Sequence, residues 1–190
     1  MDDAHDLDAA PPPELIRSEH VGVYRAAMAL LAMALLYGAI YFPYPSHSWP
    51  VAVLFKILEC VAALSAAVIR LWEPGIAVVA GPTLTGRFPM QIVLDCAALD
   101  VQALYLAAVL VFPTTLRKKL WGAGLGLAFL AAANIARIVL LYFVGAYAPA
   151  YFDLVHEDLL AFVMVALTGA AYLVWIYSIQ RVRTAGLASR

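Results

Sequence analysis

From Leu120 to Gly145 the only charged side chain is Arg137, and from Leu159 to Ile179 there is none. Apolar runs near the ~20 residues that cross a hydrocarbon core leave a chain few choices. Inside a bilayer every backbone N–H and C=O needs an internal partner, so such runs must be helices packed as a bundle. A content of 65% hydrophobic and 13% charged residues agrees, being far from the balance of a soluble domain. The expected fold is an all-α polytopic membrane protein of four to five transmembrane helices. A small extramembrane β-like hairpin is expected just before the helix that carries Cys96.

The net charge of −1 offers no basic surface for nucleic acid, so membrane lipid is the expected surrounding. A single membrane-embedded domain is expected over 21–180. Of the two cysteines, Cys60 sits among Val and Ala as a small hydrophobe. No C-x-x-C pair or zinc-ligand spacing is present. One disulfide between Cys60 and Cys96 stays open at this stage.

Residues 1–20 carry Asp2, Asp3, Asp6, Asp8, Glu14 and Glu19 against Arg17 alone, with three prolines at 11–13. That composition is expected of a disordered acidic tail on the cytoplasmic side. The run Val21 to Phe42, closed by Pro43 and Pro45, is too long for the core of a secretory signal and is the first expected span. Val51 to Trp72 is interrupted by Lys56, Glu59 and Arg70, which at ~100° per residue share one narrow face. We expect this helix on the outer side of the membrane, with four spans and both termini cytoplasmic. If it crosses, there are five spans and the acidic tail lies outside.

Between Pro74 and Leu94 two β-favouring pieces, Ile76 to Val79 and Met90 to Leu94, flank Gly81-Pro82 and Gly86-Arg87. Three further spans are expected at Asp95 to Phe112, Leu120 to Gly145 and Leu159 to Ile179. Arg117, Lys118 and Lys119 precede one of them, and a basic tail over 181–190 follows the last. The positive-inside rule puts both basic segments in the cytoplasm. The loop between Gly145 and Asp158 holds Asp153, Glu157 and Asp158 without Lys or Arg, as an exported loop should.

Three reactive side chains then fall at one depth. Cys96 opens its helix on the outer side, and a helix N-terminus favours a nucleophilic thiolate, although the adjacent Asp95 carboxylate works against it. Arg137 lies 137 − 119 = 18 residues beyond Lys119, or ~27 Å of helix, near the outer edge of a ~30 Å core. Asn134 shares its helical face one turn away. His156 sits in the exported loop directly before the last span. An isolated cysteine, a snorkelling arginine or a loop histidine is ordinarily structural; their convergence is what points to a site.

These segments resemble the exosortase/archaeosortase family of membrane-embedded cysteine transpeptidases. The resemblance runs from about Gly75 to Ile176. It rests on Gln91-Ile-Val-Leu-Asp-Cys96, Val111-Phe-Pro113 with its basic turn, and Asn134-Ile-Ala-Arg-Ile138. Tyr142-Phe-Val-Gly145, Pro149-Ala-Tyr-Phe152 and Leu154-Val-His156 follow in the same order. The short chain looks most like the small exosortase H branch. Family members commonly carry glycine two residues after the cysteine, whereas this chain has Ala97-Ala98. Glycine permits backbone dihedrals that alanine resists.

The resemblance implies a cysteine-type peptidase or transpeptidase in a bacterial cytoplasmic (inner) membrane, with its site facing the periplasm. Its implied substrates are exported proteins ending in a tripartite sorting signal of motif, hydrophobic helix and basic tail. The side chains suit that chemistry. Cys96 attacks a peptide carbonyl to form a thioester, His156 carries the proton, and Arg137 holds the oxyanion. Asn134 orients Arg137 or the substrate. No metal or organic cofactor is required. Two other readings are a non-enzymatic scaffold or accessory subunit of an export system, and a thiol-redox membrane protein using Cys60 and Cys96.

Overall fold

The computed structural model describes the backbone of residues 13–188, with side chains at 23–24 and 27–181. Helix α1 spans Pro13–Tyr41 and α2 spans Trp49–Ile69. Three short strands follow, β1 (Ala77–Val79), β2 (Thr83–Thr85) and β3 (Met90–Gln91), then a 3-10 turn at Leu94–Ala97. Helix α3 (Leu99–Val111) leads to α4 (Leu116–Tyr147). A second 3-10 turn at Pro149–Tyr151 and a π turn at Leu154–Leu159 run into α5 (Leu160–Ala188).

Three stretches are long and apolar enough to cross a membrane: Trp49–Ile69, Leu116–Tyr147 and Leu154–Arg181. Two shorter apolar helices accompany them, Ala27–Tyr41 and Leu99–Val111. The stretch expected to span over Asp95 to Phe112 is one of these shorter helices. Its α-helix has 13 residues, ~20 Å of length, because the 3-10 turn takes its first residues and a left-handed Ala98 breaks the two apart.

The expected acidic tail over 1–20 is only partly within view. Residues 1–12 lie outside the described residues, while 13–20 are helical, opened by a proline at the first helical position where its missing N–H costs nothing. At the other end α5 continues through the expected basic tail to Ala188, and 189–190 lie outside the described residues.

The expected strand hairpin is present, with one strand more than expected. Thr83–Thr85 forms a middle strand, pairing antiparallel with β1 on one side and β3 on the other to make a three-stranded meander. Its underside packs Leu84, with Ile76 and Ile92, onto Ala62, Ala66 and Ile69 of α2 and onto Ile138 and Tyr142 of α4. Cys96 belongs to the same cluster. Polar ties fasten the sheet to the bundle. The Arg87 backbone N–H donates to Glu73 Oε1 at 2.9 Å and to the Tyr142 hydroxyl at 3.0 Å. Arg70 Nε donates to the Ile76 carbonyl at 3.2 Å, joining the end of α2 to the start of β1. The sheet is thus a lid of fixed position over one end of the bundle.

Helix α1 packs along α3, and α3 along both α4 and α5. Ala98, Val101 and Met164 form a small core with Ala133 and Leu167. Tyr105, Val109 and Leu130 form another toward the end of the bundle opposite the sheet.

Candidate active site

Cys96 sits in the 3-10 turn, buried beneath the sheet, while its neighbour Asp95 faces outward. The Tyr41 hydroxyl, at the end of α1, donates to Asp95 Oδ1 at 3.2 Å. That contact holds the carboxylate on the side of α1, away from the buried thiol. Immediately after the turn, Ala98 adopts φ 51°, ψ 35°, the left-handed conformation that favours glycine. The alanine meets that backbone demand at a cost of roughly 1 kcal/mol.

Asn134 secures the turn from α4. Its side chain is 1% exposed, and Nδ2 donates to the Cys96 carbonyl at 2.9 Å. Because that carbonyl can only accept, the amide orientation is fixed and Oδ1 points the other way. Asn134 Oδ1 is buried and has no hydrogen-bond partner in the structure. Arg137, one turn further along the same helix, is half-buried, and its Nε is likewise buried and unpartnered. A buried orphan polar atom costs about 1–3 kcal/mol, more when charged. Two of them a helical turn apart, one acceptor and one donor, are the arrangement a peptide group would satisfy. Its C=O would take the arginine N–H, and its N–H would reach the asparagine oxygen.

His156 reaches the same end of the molecule by another route. Gly145 on α4 leaves room for the Phe88 ring, which lies 2.5 Å from where a Cβ would stand. Phe88, from the loop between β2 and β3, packs on Phe152 with centroids 5.1 Å apart, and Phe152 stacks on His156 at 5.6 Å and 10°. The loop between β2 and β3 thereby bears on the imidazole through two aromatic rings. His156 lies in the π turn, a distortion often found at functional sites.

Asn134 and Cys96 are thus in direct contact, with Arg137 one turn from Asn134. His156 stands apart from them. Met164, in the cluster of Ala98, is 164 − 156 = 8 residues further along, or ~12 Å of helix. Among the described residues no hydrogen bond joins His156 to Cys96 or Arg137. Cys60 faces outward on α2, two residues from the fully buried Ala62, and both cysteines are free thiols.

Sequence reasoning passed over Tyr41 and Phe88, and it named Phe152 only as part of a resembling run. The proline-phenylalanine run at 149–152 and the Gly145 before it were visible as text, but the partner ring at 88 is too distant in sequence to be read from spacing. Compared with protein-family models, with curated proteins and with solved structures, the chain matches none.

Proposed function

We propose that this chain is a membrane-embedded cysteine peptidase or transpeptidase of the exosortase type, cleaving C-terminal sorting signals of exported proteins at the outer face of the membrane. The observation that carries the reading is the bond from Asn134 to the Cys96 carbonyl, with Asn134 Oδ1 and Arg137 Nε left as buried, unpartnered polar atoms beside it.

In this reading His156 takes the thiol proton as the Cys96 sulfur attacks the scissile carbonyl, forming a C–S bond while the carbonyl π bond opens and its oxygen gains negative charge opposite Arg137. Collapse of that intermediate breaks the C–N bond, and the amine leaves with a proton from His156. Water then yields an acid, or an amine acceptor yields a new amide. His156 must come to the sulfur for this, and the π turn is the element that would move. The acyl chemistry calls on no cofactor.

The test is co-expression with an exported protein bearing the tripartite signal, with mass determination of the new terminus. Cys96→Ala should give neither cleavage nor acyl-enzyme, and His156→Ala slow cleavage. The double variant should be no slower than Cys96→Ala alone, since residues serving one step lose activity non-additively. Normal processing by Cys96→Ala would end the cysteine mechanism.

A further inference from the structure

At the end of the bundle opposite the sheet, α4 and α5 diverge to leave a groove of about 790 Å³. Gly122 explains its shape. Its missing side chain lets Trp175 of α5 lie against the α4 backbone, where the indole N–H donates to the Lys118 carbonyl at 3.3 Å. The Tyr105 hydroxyl fills the back by donating to the Gly122 carbonyl at 2.8 Å. Below these rings the walls are apolar: Leu125 and Phe129 from α4, Ala171 and Val174 from α5.

The mouth is different. Arg117 and Lys118 border it, and no acidic residue lines it. Lys119 is turned away to the Leu110 carbonyl. Among the described residues neither Arg117 nor Lys118 pairs with a carboxylate. From Lys118 to Phe129 is 129 − 118 = 11 residues, or ~16 Å, about half of a ~30 Å hydrocarbon core. The groove therefore has the depth of one leaflet, an apolar interior and a cationic rim.

We propose that this groove binds an anionic phospholipid of the leaflet that faces Arg117 and Lys118, its acyl chain along Leu125 and Val174 and its phosphate between the two basic side chains. Charge decides among occupants. A sorting-signal helix would bring its basic tail to a basic mouth, whereas an anionic headgroup is complementary. Helix α1, which follows the acidic residues in the sequence, packs on α3. The inference is independent of the peptidase reading and needs only the membrane setting.

The experiment uses the full chain with Trp49→Phe and Trp72→Phe, leaving Trp121 and Trp175 as reporters at the groove. The protein is reconstituted in phosphatidylcholine vesicles in which a minority lipid, phosphatidylglycerol or phosphatidylcholine, carries bromine in its acyl chains. Brominated phosphatidylglycerol should quench more than brominated phosphatidylcholine at the same fraction. The preference expected is roughly fivefold per basic side chain. Arg117→Gln with Lys118→Gln should remove the excess, and high salt should reduce it in the parent protein. Equal quenching by the two lipids would overturn the proposal, as would an excess that survives the double substitution. An excess that appears only after residues 1–12 are removed would show the acidic segment to be the occupant. An excess seen only when protein is dilute in lipid would show a second copy of the chain there.

Discussion

Ala98 is where local strain and chemistry meet. A left-handed alanine directly after a 3-10 turn is uncommon, and it persists because Asn134 holds the carbonyl of Cys96 on the preceding turn. Ala98→Gly should therefore raise thermal stability in detergent by about 1 kcal/mol, and Ala98→Val should lower it by more, since a branched β-carbon fits this region worst. A loss of stability in the glycine variant would mean the turn is not left-handed. Asn134→Ala should cost about 1–3 kcal/mol by orphaning the carbonyl, and Asn134→Asp more, because it sets a carboxylate oxygen against a carbonyl oxygen. Arg137→Lys should abolish processing with insertion intact, because lysine has no counterpart of the buried Nε and no fork of donors. Near-normal cleavage would reduce Arg137 to a structural cation. The pairing of Asn134 with Arg137 was legible from a three-residue spacing on one helix. The Ala97-Ala98 pair was legible in the sequence, but the dihedral that gives Ala98 its meaning depends on how the turn is packed.

At the scale of elements, the sheet acts on the site through Phe88. The ring occupies the space that Gly145 leaves and bears on Phe152, which in turn stacks on His156. Phe88→Ala should slow cleavage tenfold or more through misplacement of the imidazole, since small displacements of a catalytic group are costly. Alkylation of Cys96 by a small reagent should change less than cleavage does, because Asn134 holds the Cys96 carbonyl directly, whereas Phe88 packs against the cluster around it. If the thiol's reactivity falls in parallel, the sheet acts on the whole turn rather than on the histidine. The long helices were legible from apolar run length, which survives any tertiary arrangement. The middle strand was not: Thr83-Leu-Thr85 is three residues wide, and the turn signals on either side of it read as one loop. The break between Cys96 and α3 was hidden for a related reason, since 3-10 turn and helix share the same apolar composition.

At the scale of the whole molecule, the course of α2 decides the topology. Its length and hydropathy suffice for a span, yet both its flanks lie beside the cysteine turn. Ile69 shares the cluster of Cys96, and Tyr41, just before the connecting loop, bonds to Asp95. An upright α2 of 21 residues would place Trp49 ~32 Å from the level of Ile69. The connection from Tyr41 to Trp49, even fully extended, reaches ~28 Å, and it is shortened well below that by turns at Phe42–Tyr44 and Pro45–Ser48. A slanted α2 satisfies both restraints, and on that ground we propose the four-span arrangement, with α2 on the outer side and α1 rising from the side of Arg117. Run length alone could not distinguish this from five spans, because tilt is set by loop reach and packing rather than by composition. The exposed Ser46 in that loop provides the test. With both native cysteines replaced by alanine, Ser46→Cys should react with a membrane-impermeant maleimide in intact spheroplasts, because Tyr41 places its loop on the side of Asp95 and Cys96. In the five-span arrangement the loop faces the cytoplasm, and labelling would appear only after permeabilisation. That result would also require the Tyr41–Asp95 contact to be absent in the membrane.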